Sequence, residues 1–423
     1  MNVYFSGIGG VGIGPLAEIA RDAGHFISGS DSARGLMTES LERLGVEVSY
    51  DQSSKSLRKT HLSAPIDWLV YTSALPDNHP ELEFARENNI RISKRDEFIA
   101  EILKQSNKKM IAIAGTHGKT TTTGLMVWAL KKLSHPASYS VGTTLSFGAS
   151  GQFDKNSDYF VYECDEFDRN FLYFEPHTSI ITALDHDHID TYPTLNDYRN
   201  AFVQFLEQSD MNYIWEKDLQ FLAADPSANL EAYDEHMDLS MFTLAGLHVR
   251  QNAYLVYRAI KQLHPDIADS NIVAAINSFP GTARRFEKID ENLYSDYGHY
   301  PSEIAATLQL AKEIANDIVL VYQPHQNIRQ HQVKDDYTGC MELADEIYWL
   351  PTYLSREDPE LEILTPANLT KKLTNESVLH YAELDDELWT NINRHRAAGR
   401  LVLCMGAGSI DGWIREKLSE GGA

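Results

Sequence analysis

Cysteine is scarce: Cys164, Cys340 and Cys404 are the only three in 423 residues, and no two form a C-x-x-C pair. That argues against a disulfide framework and a cysteine zinc site. It leaves small core residues of a reducing compartment, so a cytoplasmic location is expected. Basic residues are also in deficit, 37 against 61 acidic, for a net charge of −24. A nucleic-acid-binding surface is basic, so nucleic acid is not expected as a partner. A nucleotide is still allowed, because a few backbone N–H groups and one lysine hold a phosphate in a chain that is acidic elsewhere. No uninterrupted apolar run reaches the roughly 18 residues of a membrane-spanning helix, so no membrane partner is expected. The opening MNVYFSGIGG has no basic segment before its apolar residues and reads as a first strand, not a signal peptide. Oligomeric state leaves no mark on the sequence.

The chain is 43% hydrophobic and 23% charged, enough for several cores. At roughly 100–200 residues per domain, two to four are expected. Strand-like and helix-like segments alternate throughout, which predicts an α/β fold with mostly parallel sheets. Three strand–glycine units mark three domains: 1–107, Rossmann-like; 108–280, of phosphate-loop ATPase type; and 281–423, Rossmann-like. In the first, strands are predicted at 3–5, 26–28 and 68–71. In the second, they are predicted at 110–114, 159–163 and 178–183. In the third, they are predicted at 292–296, 318–323, 346–350, 378–381 and 401–405. The lysine-rich stretch 104–109 reads as a linker.

Gly115-Thr116-His117-Gly118-Lys119-Thr120 follows an apolar run and precedes a helix-like stretch through Leu133. This is the context of a phosphate loop. Glycines let the backbone approach phosphate oxygens, N–H groups at the helix start face the anion, Lys119 reaches the β/γ-phosphates, and the Thr120 hydroxyl meets Mg²⁺. The full Walker spacing would put glycine at Ile113, so the motif is a shortened variant. Two acidic clusters, Glu163–Asp168 and Asp185–Asp190, follow the next two strands. In parallel sheets ligands bind at the carboxyl ends of strands, which places both beside the loop. Their carboxylates suit Mg²⁺.

At the N-terminus, Gly7-x-Gly9-x-x-Gly12 with Asp31 about 20 residues on matches the dinucleotide fingerprint. Read alone, it predicts an NAD-type site and a rival oxidoreductase. A second phosphate loop in one chain favours a two-substrate ligase instead.

The shortened GTHGKTTT resembles the ATP loop of the Mur ligase family, and further segments resemble that family in the same order. They are Gly7–Gly12 with Gly29-Ser30-Asp31, Glu163-Cys164-Asp165-Glu166-Phe167-Asp168, Asp187-His188-Ile189-Asp190, Phe279–Glu287, Asp296–Pro301, Gln323–Arg329, Pro351–Glu357 and Met405–Gly408. The resemblance is nearly full length and lies closest to the alanine-adding branch. It implies ATP and Mg²⁺ as cofactors, with UDP-N-acetylmuramate and a small amino acid as substrates. It also implies an acyl phosphate formed on the lactoyl carboxylate and attacked by the amine of L-alanine, in peptidoglycan precursor synthesis. Carried over, it assigns Gly7, Gly9, Gly10, Gly12, Ser30, Asp31 and Ser73 to the UDP-sugar. Gly115 to Thr121, with Thr116, His117, Gly118, Lys119 and Thr120 between them, go to ATP, together with Asn252 and Arg285. Thr120, Glu163 and His188 are assigned to the metal. Lys119, His188, Arg285, His299 and Arg329 carry the chemistry, Arg329 with His299 holding the amino acid. Domain closure is expected about hinges near 107 and 281. The chain departs from the pattern at Ala183, Val249, Tyr300 and Gln326, and in a short stretch from Asp190 to Ala245. A sister ligase adding a peptide and a non-catalytic nucleotide-binding relative stay open.

Overall fold

The computed structural model describes residues 1–420 except Val11, Ser73, Ala74, Ile189, Asp190 and Arg356. It is α/β, with three sheets. In the first, β1 (Asn2–Ser6), β2 (Phe26–Ser30), β3 (Glu47–Ser49), β4 (Trp68–Tyr71) and β5 (Arg91–Lys94) run parallel in the order 3-2-1-4-5. The second contains β6 (Lys109–Ala114), β7 (Ser138–Ser140), β8 (Gly151–Gln152), β9 (Tyr159–Glu163), β10 (Thr178–Ile181), β11 (Asn212–Trp215) and β12 (Leu230–Tyr233). Their order is 12-11-10-6-9-7-8, and β8 alone is antiparallel to its neighbour. The third contains β13 (Glu287–Asp290), β14 (Leu293–Asp296), β15 (Ile318–Tyr322), β16 (Glu346–Trp349), β17 (Leu379–Tyr381) and β18 (Leu401–Met405). It is ordered 13-14-18-15-16-17, with β13 antiparallel. β6, β10 and β15 read as near-continuous apolar or fully buried runs, as strands covered on both faces must.

The chain forms two compact units, 1–242 with 252–280, and 243–251 with 281–423. In the first unit one core runs through both sheets, from Val3, Phe5 and Trp68 to Met110, Ala112 and Phe160. The helix Gly14–Asp22 packs on β8. Gly151 donates its N–H to Glu18 at 2.8 Å, and a β-carbon at Gly151 would stand 2.0 Å from the Pro15 carbonyl oxygen. Burial lifts the Glu18 carboxyl to about 7.

One expectation changes. The stretch 104–109 is no linker. The helix Arg95–Ser106 ends at Asn107, which turns left-handed at φ 52°, and β6 starts two residues later. Lys108 is tied to the carbonyl of Asp154 at 2.7 Å, so its charge serves a fixed turn. Residues on both sides of 107 belong to one compact unit. The short stretch after Asp190 carries two parallel strands, β11 and β12. All three cysteines are buried. No helix among the described residues is long and apolar enough to cross a membrane.

Candidate active site

The phosphate loop leaves β6 at the middle of the second sheet, between β9 and β10, where strand order changes direction. Gly115 takes φ 127°, and a β-carbon there would lie 2.4 Å from Thr182 Oγ1. Gly118 takes φ 87° and sits against Asn252, whose Nδ2 would be 2.7 Å from a β-carbon. Both positions therefore need glycine. The helix Lys119–Lys132 follows. Its threonines do not disrupt its first turns, because Thr122 and Thr123 return their hydroxyls to the Gly118 and Lys119 carbonyls at 2.9 and 2.8 Å. Thr121 is half-buried on the same helix.

Lys119 turns back over the loop. Its Nζ lies 2.6 Å from the Gly115 carbonyl and 2.6 Å from Glu166 Oε2. Burial works against its charge, but Glu166 and then Asp165 outweigh it, and the ammonium is held above its ordinary pKa. Thr116 N donates to the Ala183 carbonyl at 2.7 Å, and Thr116 Oγ1 to that of Asp185 at 2.9 Å. Position 183 thus serves the loop through its backbone carbonyl, which any residue supplies. His117 Nε2 stands 3.8 Å from Asp185.

The expected metal set divides. Thr120 donates to Glu163 Oε1 at 2.9 Å, and Glu163 Oε2 accepts Gly142 N at 2.9 Å. His188, left-handed at φ 56°, groups with Asp165 and Glu166, and one donor atom from each lies within 4.8 Å of the others. Glu166 Oε1 is buried, accepts no hydrogen bond among the described residues and faces His188 Nε2 at 3.7 Å. Two carboxylates and an imidazole around such an oxygen fit a divalent cation. Burial opposes the charge of Asp165, but Arg95, Lys119 and His188 together hold its carboxyl below the usual range. Asp165 and Glu166 went unassigned from sequence because four carboxylates crowd that segment and nothing local says which turn inward.

In the first sheet, Gly7 turns at φ 82° and donates its N–H to the Ser30 carbonyl at 2.8 Å. Asp31 Oδ2 accepts Gly9 N at 2.8 Å, while its Oδ1 accepts Ala33 N at 3.2 Å. The carboxylate that would read a ribose in the oxidoreductase alternative is thereby engaged in shaping the loop. The Ser30 hydroxyl is buried and donates to Glu81 at 2.8 Å. Gly10 and Gly12 complete the turn, and Ser73 lies outside the described residues.

The second unit brings its expected pair together. Arg329 NH1 is 2.7 Å from His299 Nε2, and His299 Nδ1 is 3.1 Å from the Tyr297 carbonyl. This fits a neutral ring, donor at Nδ1 and acceptor at Nε2. Burial, partly offset by Glu303, lowers the His299 pKa to about 4. Tyr300 lies under Arg329, the guanidinium carbon 4.9 Å from the ring centre, a cation–π shelf. Arg285 stands 4.9 Å over the Tyr297 ring. The neighbouring Asp296, lifted to about 6 by burial, accepts the N–H groups of Phe286 and Gly298 at 2.7 Å each. Gln326, at φ 61°, opens the short helix Asn327–Val333.

Comparison with known proteins decides the kinship. A sequence model of the Mur ligase family catalytic domain matches residues 2–107, and one of the Mur ligase middle domain matches 113–244. The UDP-N-acetylmuramate–L-alanine ligase of Clostridium botulinum is 30% identical over 97% of this chain and 95% of its own length. The chain belongs to the Mur ligase family. Among solved Mur ligases, the UDP-N-acetylmuramate–alanine ligase of Thermotoga maritima superposes with a TM-score of 0.79 at 25% identity, covering 99% of both chains. A murein peptide ligase of Psychrobacter arcticus shares the fold at a TM-score of 0.64 and 23% identity, covering 99% of this chain and 98% of its own.

Proposed function

We propose that this Mur ligase joins L-alanine to the lactoyl carboxylate of UDP-N-acetylmuramate at the expense of ATP, through an acyl phosphate. The observation that carries the reading is the buried Lys119–Glu166 contact beside Asp165 and His188, on the same compact unit as a second glycine loop. One anion-binding loop serves an oxidoreductase; two serve a ligase that must bring a nucleoside triphosphate to a sugar nucleotide. The likeness to alanine-adding relatives over nearly the whole chain names the acceptor.

In this reading residues 1–107 hold the UDP-sugar, 108–280 hold ATP, and 281–423 hold the amino acid. Lys119 moves its charge from Glu166 to the γ-phosphoryl as negative charge spreads over that group. Gly115 to Thr121 wrap the phosphates, and Asn252 holds the loop's second glycine from behind. Asp165, Glu166 and His188 would hold Mg²⁺, with Thr120 and Glu163 beside them. The ion, when bound, would supply neutralisation of the phosphate charge. Arg329 turns its guanidinium to the carboxylate of the incoming amino acid, and His299, neutral at physiological pH, orients it. Arg285 is assigned to the nucleotide.

The test is phosphate release from ATP and Mg²⁺ with UDP-N-acetylmuramate across a panel of single amino acids. Release that needs both the sugar nucleotide and one small amino acid, L-alanine best, is the expected result. Binding of ATP without release for any single amino acid would replace this reading with a peptide-adding or non-catalytic relative.

A further inference from the structure

Arg95 begins the helix that follows β5, on the carboxyl edge of the first sheet. Its guanidinium is fixed on two sides. Nε lies 3.0 Å from Asp96 Oδ2, and NH2 lies 3.1 Å from Asp165 Oδ2. Asp96 is itself anchored, 1% exposed and accepting the Tyr162 hydroxyl at 2.7 Å. The third nitrogen, NH1, makes no hydrogen bond among the described residues. It lies against the N-terminal glycine loop, and a β-carbon at Gly12 would meet it at 2.8 Å. The preceding residue reaches the same way, since Lys94 pairs with Asp168. One side chain thus touches both the glycine loop and the Asp165–Glu166–His188 cluster.

We infer that Arg95 is a positioning residue that couples an anionic diphosphate on the Gly7–Gly12 loop to the cation and nucleotide site of the central sheet. The inference rests on the sugar-nucleotide reading of that loop. A guanidinium held at two nitrogens has little orientational freedom left to lose, so its free N–H pair is preorganised for a phosphate oxygen. A diphosphate on the loop draws the guanidinium charge toward itself. Asp165 then shares less of it and becomes a better donor to a divalent cation beside Glu166 and His188. Each ligand therefore tightens the other, and thermodynamic linkage makes the two effects equal. A purely structural ion pair would hold the two sheets together and leave the ligands independent.

Calorimetric titration tests this. Wild type is titrated with UDP-N-acetylmuramate and with Mg²⁺–ADP, each alone and each with the other at saturation. The expected wild-type result is tightening by about fivefold or more, equal in both directions. In Arg95→Lys, which keeps the charge but loses the fork, the sugar nucleotide should bind roughly tenfold more weakly and the mutual tightening should vanish. Mg²⁺–ADP alone should bind within about twofold of wild type, and the melting temperature reports that the fold is kept. Arg95→Gln is the second variant should lysine find a new partner. Wild type that binds both ligands independently overturns the coupling, as does Arg95→Lys with unchanged tightening. Wild type that fails to bind the sugar nucleotide removes the reading beneath it, a result distinct from either.

Discussion

In the proposed mechanism Lys119 exchanges Glu166 and the Gly115 carbonyl for the γ-phosphoryl, so its removal and its release are separable experiments. Lys119→Ala is expected to abolish ATP-dependent product formation with the fold intact by circular dichroism; retained turnover removes Lys119 from the mechanism. Tyr300 offers a finer test. Tyr300→Phe keeps the face beneath Arg329 and should leave the amino-acid KM unchanged. Tyr300→Ala should raise it about five- to thirtyfold, the worth of a largely desolvated cation–π contact, since Tyr300 is buried, with kcat little altered. His299 gives a pH signature. Unfolded, it takes a proton near pH 6.5, but folded only near 4, so its contribution to stability is present above about 6.5 and lost as pH falls toward 4. His299→Gln should flatten urea-measured stability in that window; an unchanged slope would assign the pH dependence elsewhere. At this scale the sequence showed residues whose local motif names a backbone need, such as Gly115 and Gly118. Arg95 escaped notice because a basic residue at a helix start looks like solvated surface. Asp31, read as facing a ligand, also accepts the N–H of Gly9, a local bond the motif does not announce.

Elements were easier to read than their partners. Continuous apolar runs marked β1, β6, β9, β15 and β18 to within a residue or two, because strands buried on both faces have no polar alternation to blur them. Short or polar strands escaped. Glu47–Ser49 and Arg91–Lys94 at the edges of the first sheet, and Glu287–Asp290 at the edge of the third, have few apolar residues. Helix against strand also sets a testable acid. Glu18, on the helix after the first glycine loop, has a carboxyl raised to about 7 by burial against β8. An unfolded glutamate ionises near 4.3, so stability is full below that value and declines as pH rises through about 7. Glu18→Gln keeps an acceptor for Gly151 and removes the charge. It should therefore melt higher than wild type at pH 8 and equally at pH 4; equal melting at both values would discount the burial. In the phosphate loop, Gly115→Ala should cost more than about 2 kcal/mol in denaturant titration, since a side chain there adds a clash with Thr182 to left-handed strain.

The molecule as a whole divides unevenly. The first two sheets share one core, while the third has its own clusters around Trp349 and Ile392. Calorimetry should therefore resolve two transitions, with UDP and Mg²⁺–ADP both raising that of the unit carrying the two glycine loops. A single transition would show the units to be cooperative. The alternation of strand and helix made the α/β plan with mostly parallel sheets visible in the sequence. The shared core did not show, because the residues between its sheets, 104–109, look like a flexible joint and in fact hold a helix end and a fixed turn. The buried cysteines have a practical consequence. Burial raises all three thiols, Cys340 to about 12 and Cys164 and Cys404 also upward, so the reactive thiolate is scarce at neutral pH and shielded where it forms. The native chain is thus already a quiet background for maleimide chemistry. A single cysteine placed on the surface of each unit would carry a fluorophore pair without first stripping the protein of its own, and the distance between the units could then be followed in solution as each substrate is added.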